Sequence, residues 1–189
     1  MMRLFIALPL PPETEEALAK IIFVLKQKGG RVKWVAPKNI HITVRFLGDT
    51  DENRVPDLSN LIDRVAAKYE PVHTTIDSLG AFPTLSRPRI IWAGLQDNVE
   101  TLEKLAREVE LGVRELRFPK EPKGFKPHLT LGRVREPFGL ESLTSYLQAY
   151  KIDPINTCFD RLILFKSTLT PQGPIYDRLH EVMMGNNSK

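Results

Sequence analysis

Two tetrapeptides, His41-Ile42-Thr43-Val44 and His128-Leu129-Thr130-Leu131, constrain this 189-residue chain more than any other feature. In each, a histidine and a threonine stand two residues apart in an otherwise apolar run. On a β-strand, residues i and i+2 share one face and their neighbours point to the other. Each tetrapeptide therefore predicts a strand with a polar His/Thr face and an apolar face turned to the core. Two such strands, 87 positions apart, predict a site with two imidazoles and two hydroxyls, one pair from each half of the chain.

The rest of the chain reads as alternating strands and helices. A strand is expected over 3–8. A helix over 13–27 is entered through Pro11-Pro12 and stopped by Gly29-Gly30. Strands follow over 31–35 and 40–47, a helix over 55–69 with Pro56 in its first turn, and a strand over 72–79. The second half repeats the scheme. A strand covers 89–95, and Asp97 with Glu100 reads as a capping box for a helix to about 111. Then come a strand over 127–134, a helix over 140–150, a strand over 158–166 and an edge strand over 175–182. Arg3-Leu4-Phe5-Ile6-Ala7 aligns with Arg89-Ile90-Ile91-Trp92-Ala93 at an offset of 86, close to the 87 of the histidine motifs. A weak internal repeat of this kind predicts a duplicated α+β unit, with two lobes about a pseudo-twofold axis. No linker or low-complexity tract divides it, so one bilobal domain over 1–184 is expected, with 185–189 as a disordered tail.

Hydrophobic residues at 42% and charged residues at 26% fit an ordinary globular domain. No run reaches the ~18 apolar residues of a membrane span, and Pro9 to Pro12 cut short the apolar N-terminus, which reads as a core strand rather than a signal peptide. One cysteine, Cys158, excludes an internal disulfide and favours a reducing, cytoplasmic setting. The net charge of +4 is compatible with a polyanionic partner. Arg31, Lys33 and Lys38 precede the first motif, and Lys120, Lys123 and Lys126 the second, which suits a phosphate backbone. Trp34 and Phe125 are candidate base-stacking platforms.

Two imidazoles suit phosphodiester chemistry. With an unperturbed pKa near 6.5, one can take a proton from water while the other gives one to the leaving oxygen. In-line displacement needs these groups on opposite sides of phosphorus, as two facing strands would provide. Threonine hydroxyls can hold the non-bridging oxygens. By strand parity Arg45 shares the face of His41 and Thr43 and is a candidate phosphate-binding residue, whereas Arg133 falls on the face opposite Thr130 unless the strand bulges. No His-x-x-x-His pair, paired cysteines or Asp-rich loop suggests a metal, and no glycine-rich phosphate loop is present. A third match, His73-Thr74-Thr75-Ile76, weakens the bare pattern. It lacks the apolar middle residue and the equivalent place in the repeat, and is expected to be an exposed strand residue. His180 carries no motif and is expected at the surface.

At these residues the chain resembles the two-histidine phosphoesterase superfamily, and within it the RNA 2′,3′-cyclic phosphodiesterases, also called 2′-5′ RNA ligases (the LigT/ThpR family). The resemblance runs from Arg3-Leu4-Phe5-Ile6-Ala7 through Trp34-Val35, His41 to Gly48, Leu79 to Pro83, Pro88 to Trp92, Pro127 to Arg133 and Ser167-Thr168-Leu169 to Gly173-Pro174-Ile175-Tyr176. It implies an α+β, bilobal fold, with two antiparallel sheets flanked by helices around a central groove. It implies hydrolysis of a terminal 2′,3′-cyclic phosphate to a 2′-phosphate without a cofactor. His41 would be the proton donor and His128 the acceptor, with Thr43, Thr130 and Arg133 on the phosphate. Substrates would be RNA ends, tRNA fragments among them, with room for a nucleotide in the groove, and the protein would be a monomer. Reverse joining through a 2′-5′ linkage is a family activity. Two other readings stay open: an RNA-end-binding module without significant catalysis, and a phosphodiesterase for small cyclic nucleotides or 2′-5′ oligoadenylates.

Overall fold

The computed structural model describes residues 1–185. The first half runs β1 (Met2–Pro9), α1 (Pro12–Lys26), β2 (Val32–Trp34), β3 (His41–Thr50), α2 (Val55–Ala66) and β4 (Val72–Thr84). The second runs β5 (Arg87–Leu95), α3 (Val99–Glu115), β6 (Leu129–Val134), α4 (Glu141–Ala149), β7 (Ile155–Phe159), β8 (Arg161–Thr170) and β9 (Gly173–Met183). The strands form two antiparallel sheets, β3-β1-β8-β9 and β2-β6-β5-β4-β7. The expected α+β duplication is present, with an exchange. Each half pairs its first strand with its motif strand, then sends the next long strand across. Strand β4 pairs with β5 in the second sheet, and β8 pairs with β1 in the first.

The pairing register corrects the repeat. Thr43 stands opposite Ala7, and its counterpart Thr130 stands opposite Trp92. Phe46 opposes Phe5, and Arg133 opposes Ile90. The motif strands repeat at 87, but β1 and β5 repeat at 85 rather than 86. The difference matters, because a slip of one residue turns every side chain to the other face.

The helices carry their apolar stripes at helical spacing. Leu58, Leu61, Ile62 and Val65 of α2 are buried, as are Leu102, Leu105, Ala106, Val109 and Val113 of α3. Gly112 lets these two helices close on each other, since a Cβ there would lie 2.1 Å from Leu61 Cδ1. One continuous apolar cluster takes in Leu4, Ile6 and Leu8 of β1, Ile91 and Ala93 of β5, and the helical stripes. A buried hydrogen bond from the Thr14 hydroxyl to Thr157 (2.9 Å) ties α1 to β7.

Three local expectations change. The capping box at α3 does not form: Asn98 is the N-cap in the left-handed region (φ 55°), without a side-chain cap. Its amide instead donates to the His73 carbonyl (2.7 Å), and the Asp97 carbonyl accepts from Thr74 (2.6 Å). The single strand expected over 158–166 is split at Asp160 into β7 and β8, in different sheets. In the expected tail, Gly185 lies in a turn and donates to the Ala66 carbonyl (3.3 Å), while 186–189 fall outside the described residues.

Candidate active site

The two motif strands contain the same irregularity. In β3, Val44 is an extra residue between the pairs Thr43–Ala7 and Arg45–Ile6. In β6, Leu131 is an extra residue between Thr130–Trp92 and Gly132–Ile91. Such a bulge shifts the alternation by one. It returns Arg133 to the face of Thr130, removing the parity objection to that arginine. It also turns Arg45 away from Thr43 and puts Phe46, 53% exposed, in its place. Arg133 and Phe46 are thus equivalent positions of the two half-sites, and so are Gly132 and Arg45. Gly132 has to be small, since a Cβ there would stand 2.7 Å from Val32 and 2.9 Å from Trp34.

His41 sits on an aromatic bed. Its ring stacks on Phe5 (5.0 Å between centroids) and meets Tyr176 edge-on (5.5 Å), with Phe165 at 6.3 Å. Nδ1 is 2.8 Å from the Asn39 carbonyl and Nε2 is 3.0 Å from the Thr43 hydroxyl. A carbonyl only accepts, so Nδ1 carries the proton and the neutral ring presents its Nε2 lone pair to Thr43. Burial pushes the His41 pKa down to about 4; the Asn39 carbonyl opposes this, and the Arg133 guanidinium adds to it. The charge of Arg133, from the second sheet, therefore reaches His41 on the first. It also reaches Tyr176, whose hydroxyl burial pushes up and whose shift Arg133 and Arg3 oppose. The two polar faces meet across a groove.

His128 immediately precedes β6. Its Nδ1 is 2.6 Å from the Lys126 carbonyl, the same i−2 contact that His41 makes, at the same offset of 87. The carbonyl again fixes Nδ1 as the donor, so Nε2 is the second ring nitrogen in both motifs. Phe82 of β4 meets it edge-on (5.1 Å) and in turn leans on Trp92 (5.2 Å). The Trp92 ring lies over Gly80, where a Cβ would stand 2.3 Å from Cζ2.

Arg45, expected on the phosphate, is instead a buried anchor. Nε donates to Glu110 of α3 (2.6 Å) and Nη1 to Glu121 (3.0 Å), with further bonds to the Phe46 and Pro119 carbonyls. The Glu121 amide donates to the other Glu110 oxygen (3.1 Å). The strand that carries His41 thus grips the loop that leads to His128.

The other expected features lie apart. His73 is the second residue of β4, nine residues from Phe82 and so about 30 Å along the strand from the neighbour of His128; it is exposed beside Cys158 (Sγ to Nε2, 3.8 Å). His180 bonds Asp63 (2.7 Å). Trp34 and Phe125 pack against the apolar cluster. Phe46, Phe82 and Tyr176 were the aromatic residues to single out. All three lie in segments that carry the family resemblance (His41 to Gly48, Leu79 to Pro83 and Gly173 to Tyr176), but nothing in those segments marked the aromatic residue itself.

A bilobal α+β fold that brings twin His-x-Thr strands to one groove defines the two-histidine phosphoesterase class. The family model described as LigT-like phosphoesterase matches residues 8–92 and 94–176, one match for each half, and the chain belongs to that family. An RNA 2′,3′-cyclic phosphodiesterase of Methanocaldococcus jannaschii is 35% identical over 181 residues, covering 95% of this chain and 99% of its own. One from Thermotoga maritima is 32% identical over 180 residues (95% and 94%). A crystal structure of a Thermus thermophilus protein superimposes with a TM-score of 0.80 at 30% identity, covering 98% of this chain and all of its own. Escherichia coli LigT complexed with NADP+ gives 0.69 at 25% identity, with 97% and 98% covered.

Proposed function

We propose that this protein is an RNA 2′,3′-cyclic phosphodiesterase that opens a terminal cyclic phosphate by paired histidine acid–base catalysis. The observation that carries the reading is the matched anchoring of the two rings. Each Nδ1 is committed to the carbonyl two residues back, which leaves Nε2 as the nitrogen available for chemistry on each ring. Proton transfer is then available at one defined nitrogen on each side of a bound phosphate.

In this mechanism water attacks phosphorus and loses its proton to His128 Nε2. The P–O3′ bond breaks, and His41 gives its Nε2 proton to the departing O3′. The products are a 2′-phosphomonoester and a 3′-hydroxyl. Thr43, Thr130 and Arg133 hold the non-bridging oxygens as their charge grows. The same steps, with a 5′-hydroxyl in place of water as the nucleophile, would form a 2′-5′ linkage. The named phosphodiesterase relatives support the substrate class, and the NADP+ complex of the E. coli protein supports a groove that accepts nucleotides. A half-buried lone Cys158 fits a reducing cytoplasmic setting.

The test is turnover of an oligoribonucleotide ending in a 2′,3′-cyclic phosphate, in EDTA, with the product end identified. His41→Ala and His128→Ala should each lower the rate by about 10²–10⁴, the span for a lost general acid or base. Unimpaired turnover by either variant would sink the mechanism, and a 3′-phosphate product would reverse which oxygen leaves.

A further inference from the structure

The face of the first sheet that carries His41 does not end there. Register places Pro9 opposite His41, and Arg178 opposite Phe165 on that same face, with Tyr176 and Pro174 following. These residues, with Glu15 of α1 and the Lys38–Ile40 turn, line a cleft of about 320 Å³ that opens beside His41. Asn39 donates to the Pro174 carbonyl (3.2 Å) and joins the turn to β9. The walls are apolar at Pro9, Phe165 and Pro174, and cations stand on two sides. Lys38 is exposed and, among the described residues, in no ion pair. Arg178 is 56% exposed and gives only Nη1 to Glu181 (2.8 Å).

We propose that this cleft receives the nucleotide immediately 5′ of the cyclic-phosphate end, with its phosphodiester between Lys38 and Arg178. The proposal rests on the phosphodiesterase reading and adds the part of the substrate that reading leaves out. Three observations favour this occupant. The cleft is continuous with the His41 face, so a chain leaving the cyclic end can enter it directly. Arg178 stands across one strand from Phe165, whose ring is 6.3 Å from His41, which puts it on the order of 10 Å from the reacting end, within one nucleotide's reach. Two cations from separate elements can hold a phosphate without reading a base. Glu15 is the adverse charge: burial raises its pKa and the nearby Arg178 charge lowers it, so a bound phosphate competes with Glu15 for Arg178. The consequence is a preference for RNA ends over cyclic mononucleotides.

The experiment compares a 2′,3′-cyclic mononucleotide with a short oligoribonucleotide carrying the same cyclic end, for wild type and for Lys38→Ala, Arg178→Ala and the double variant. Both side chains are exposed, so folding should survive, and circular dichroism checks it. On the oligonucleotide, KM should rise roughly five- to thirty-fold in the double variant with kcat kept, as for lost charge-assisted contacts. The salt dependence of log(1/KM) should flatten by about 0.7 for each phosphate contact removed. On the mononucleotide, both constants should stay within about twofold. Equal losses on the two substrates, or no loss on the oligonucleotide, would overturn the subsite. Failure of wild type on both substrates would instead overturn the phosphodiesterase reading itself.

Discussion

Binding of a phosphate should convert His41 from imidazole to imidazolium. In the free protein its pKa lies at about 4, held down chiefly by burial against Phe5, Phe165 and Tyr176 and further by the Arg133 charge. At pH 7 it is therefore neutral, although its proposed role requires a proton. Protonating it there costs about 4 kcal/mol, from three pKa units at about 1.4 kcal/mol each. A single negative charge about 4 Å away in a medium of effective dielectric about 20 returns about 4 kcal/mol. The two energies are of one size, so a bound phosphate moves the pKa to roughly 7. It also takes up the charge of Arg133, which works in the same direction. In the proposed mechanism the proton donor would be armed by its own substrate. The assay is an NMR titration of the His41 ring in a His128→Ala background, alone and with a saturating 2′-nucleotide. The midpoint should move from about 4 to roughly 7, with proton uptake on binding near neutral pH. A midpoint that stays below about 5 in the complex would contradict substrate-driven protonation and point to His41 as the base.

Two more outcomes follow from the same geometry. Because the folded pKa of His41 lies below its unfolded value near 6.5, the folded state binds fewer protons between them. The associated stability is fully present above pH 6.5 and is lost as pH falls through about 4, a drop on the order of 3 kcal/mol. Denaturant unfolding of His41→Asn across that window should show a shallower decline than wild type. Arg45→Met should leave Glu110 and Glu121 unpaired, at a cost of about 3 kcal/mol for a broken, largely buried pair. It should lower kcat with little change in KM, because the loop before His128 loses its hold on β3. Trypsin should then cut faster at Lys120 or Lys123, and an unchanged digestion pattern would argue against the anchor.

Much of the architecture was legible because it follows from periodicity. The paired His-x-Thr strands, the order of elements and the duplicated halves all leave marks at spacings of 2, 3.6 and about 87. What was not legible came from single-residue irregularities. The bulges at Val44 and Leu131 leave no signature in an apolar run, yet they decide that Arg133 faces the groove and Arg45 does not. Parity holds on an unbroken strand, and it failed for both arginines because these strands are broken at the same place. The aromatic bed under His41 was hidden for another reason. Phe5, Phe165 and Tyr176 come from three strands distant in sequence, and only the sheet order brings them together.

The exchange of β4 and β8 makes the two halves interdependent. Neither the first half nor the second can complete a sheet alone, since each holds two strands of the other's sheet: β2 and β4 in the first half, β8 and β9 in the second. The apolar faces of β1 and β5 would lose one neighbour each, and the bed of His41 would lose Phe165 and Tyr176. A gene cut at the β4–β5 hairpin should therefore yield two fragments inert when separate and active when mixed. Catalysis in such a pair would report the interlocking of the strands directly, a two-part switch already written into the fold.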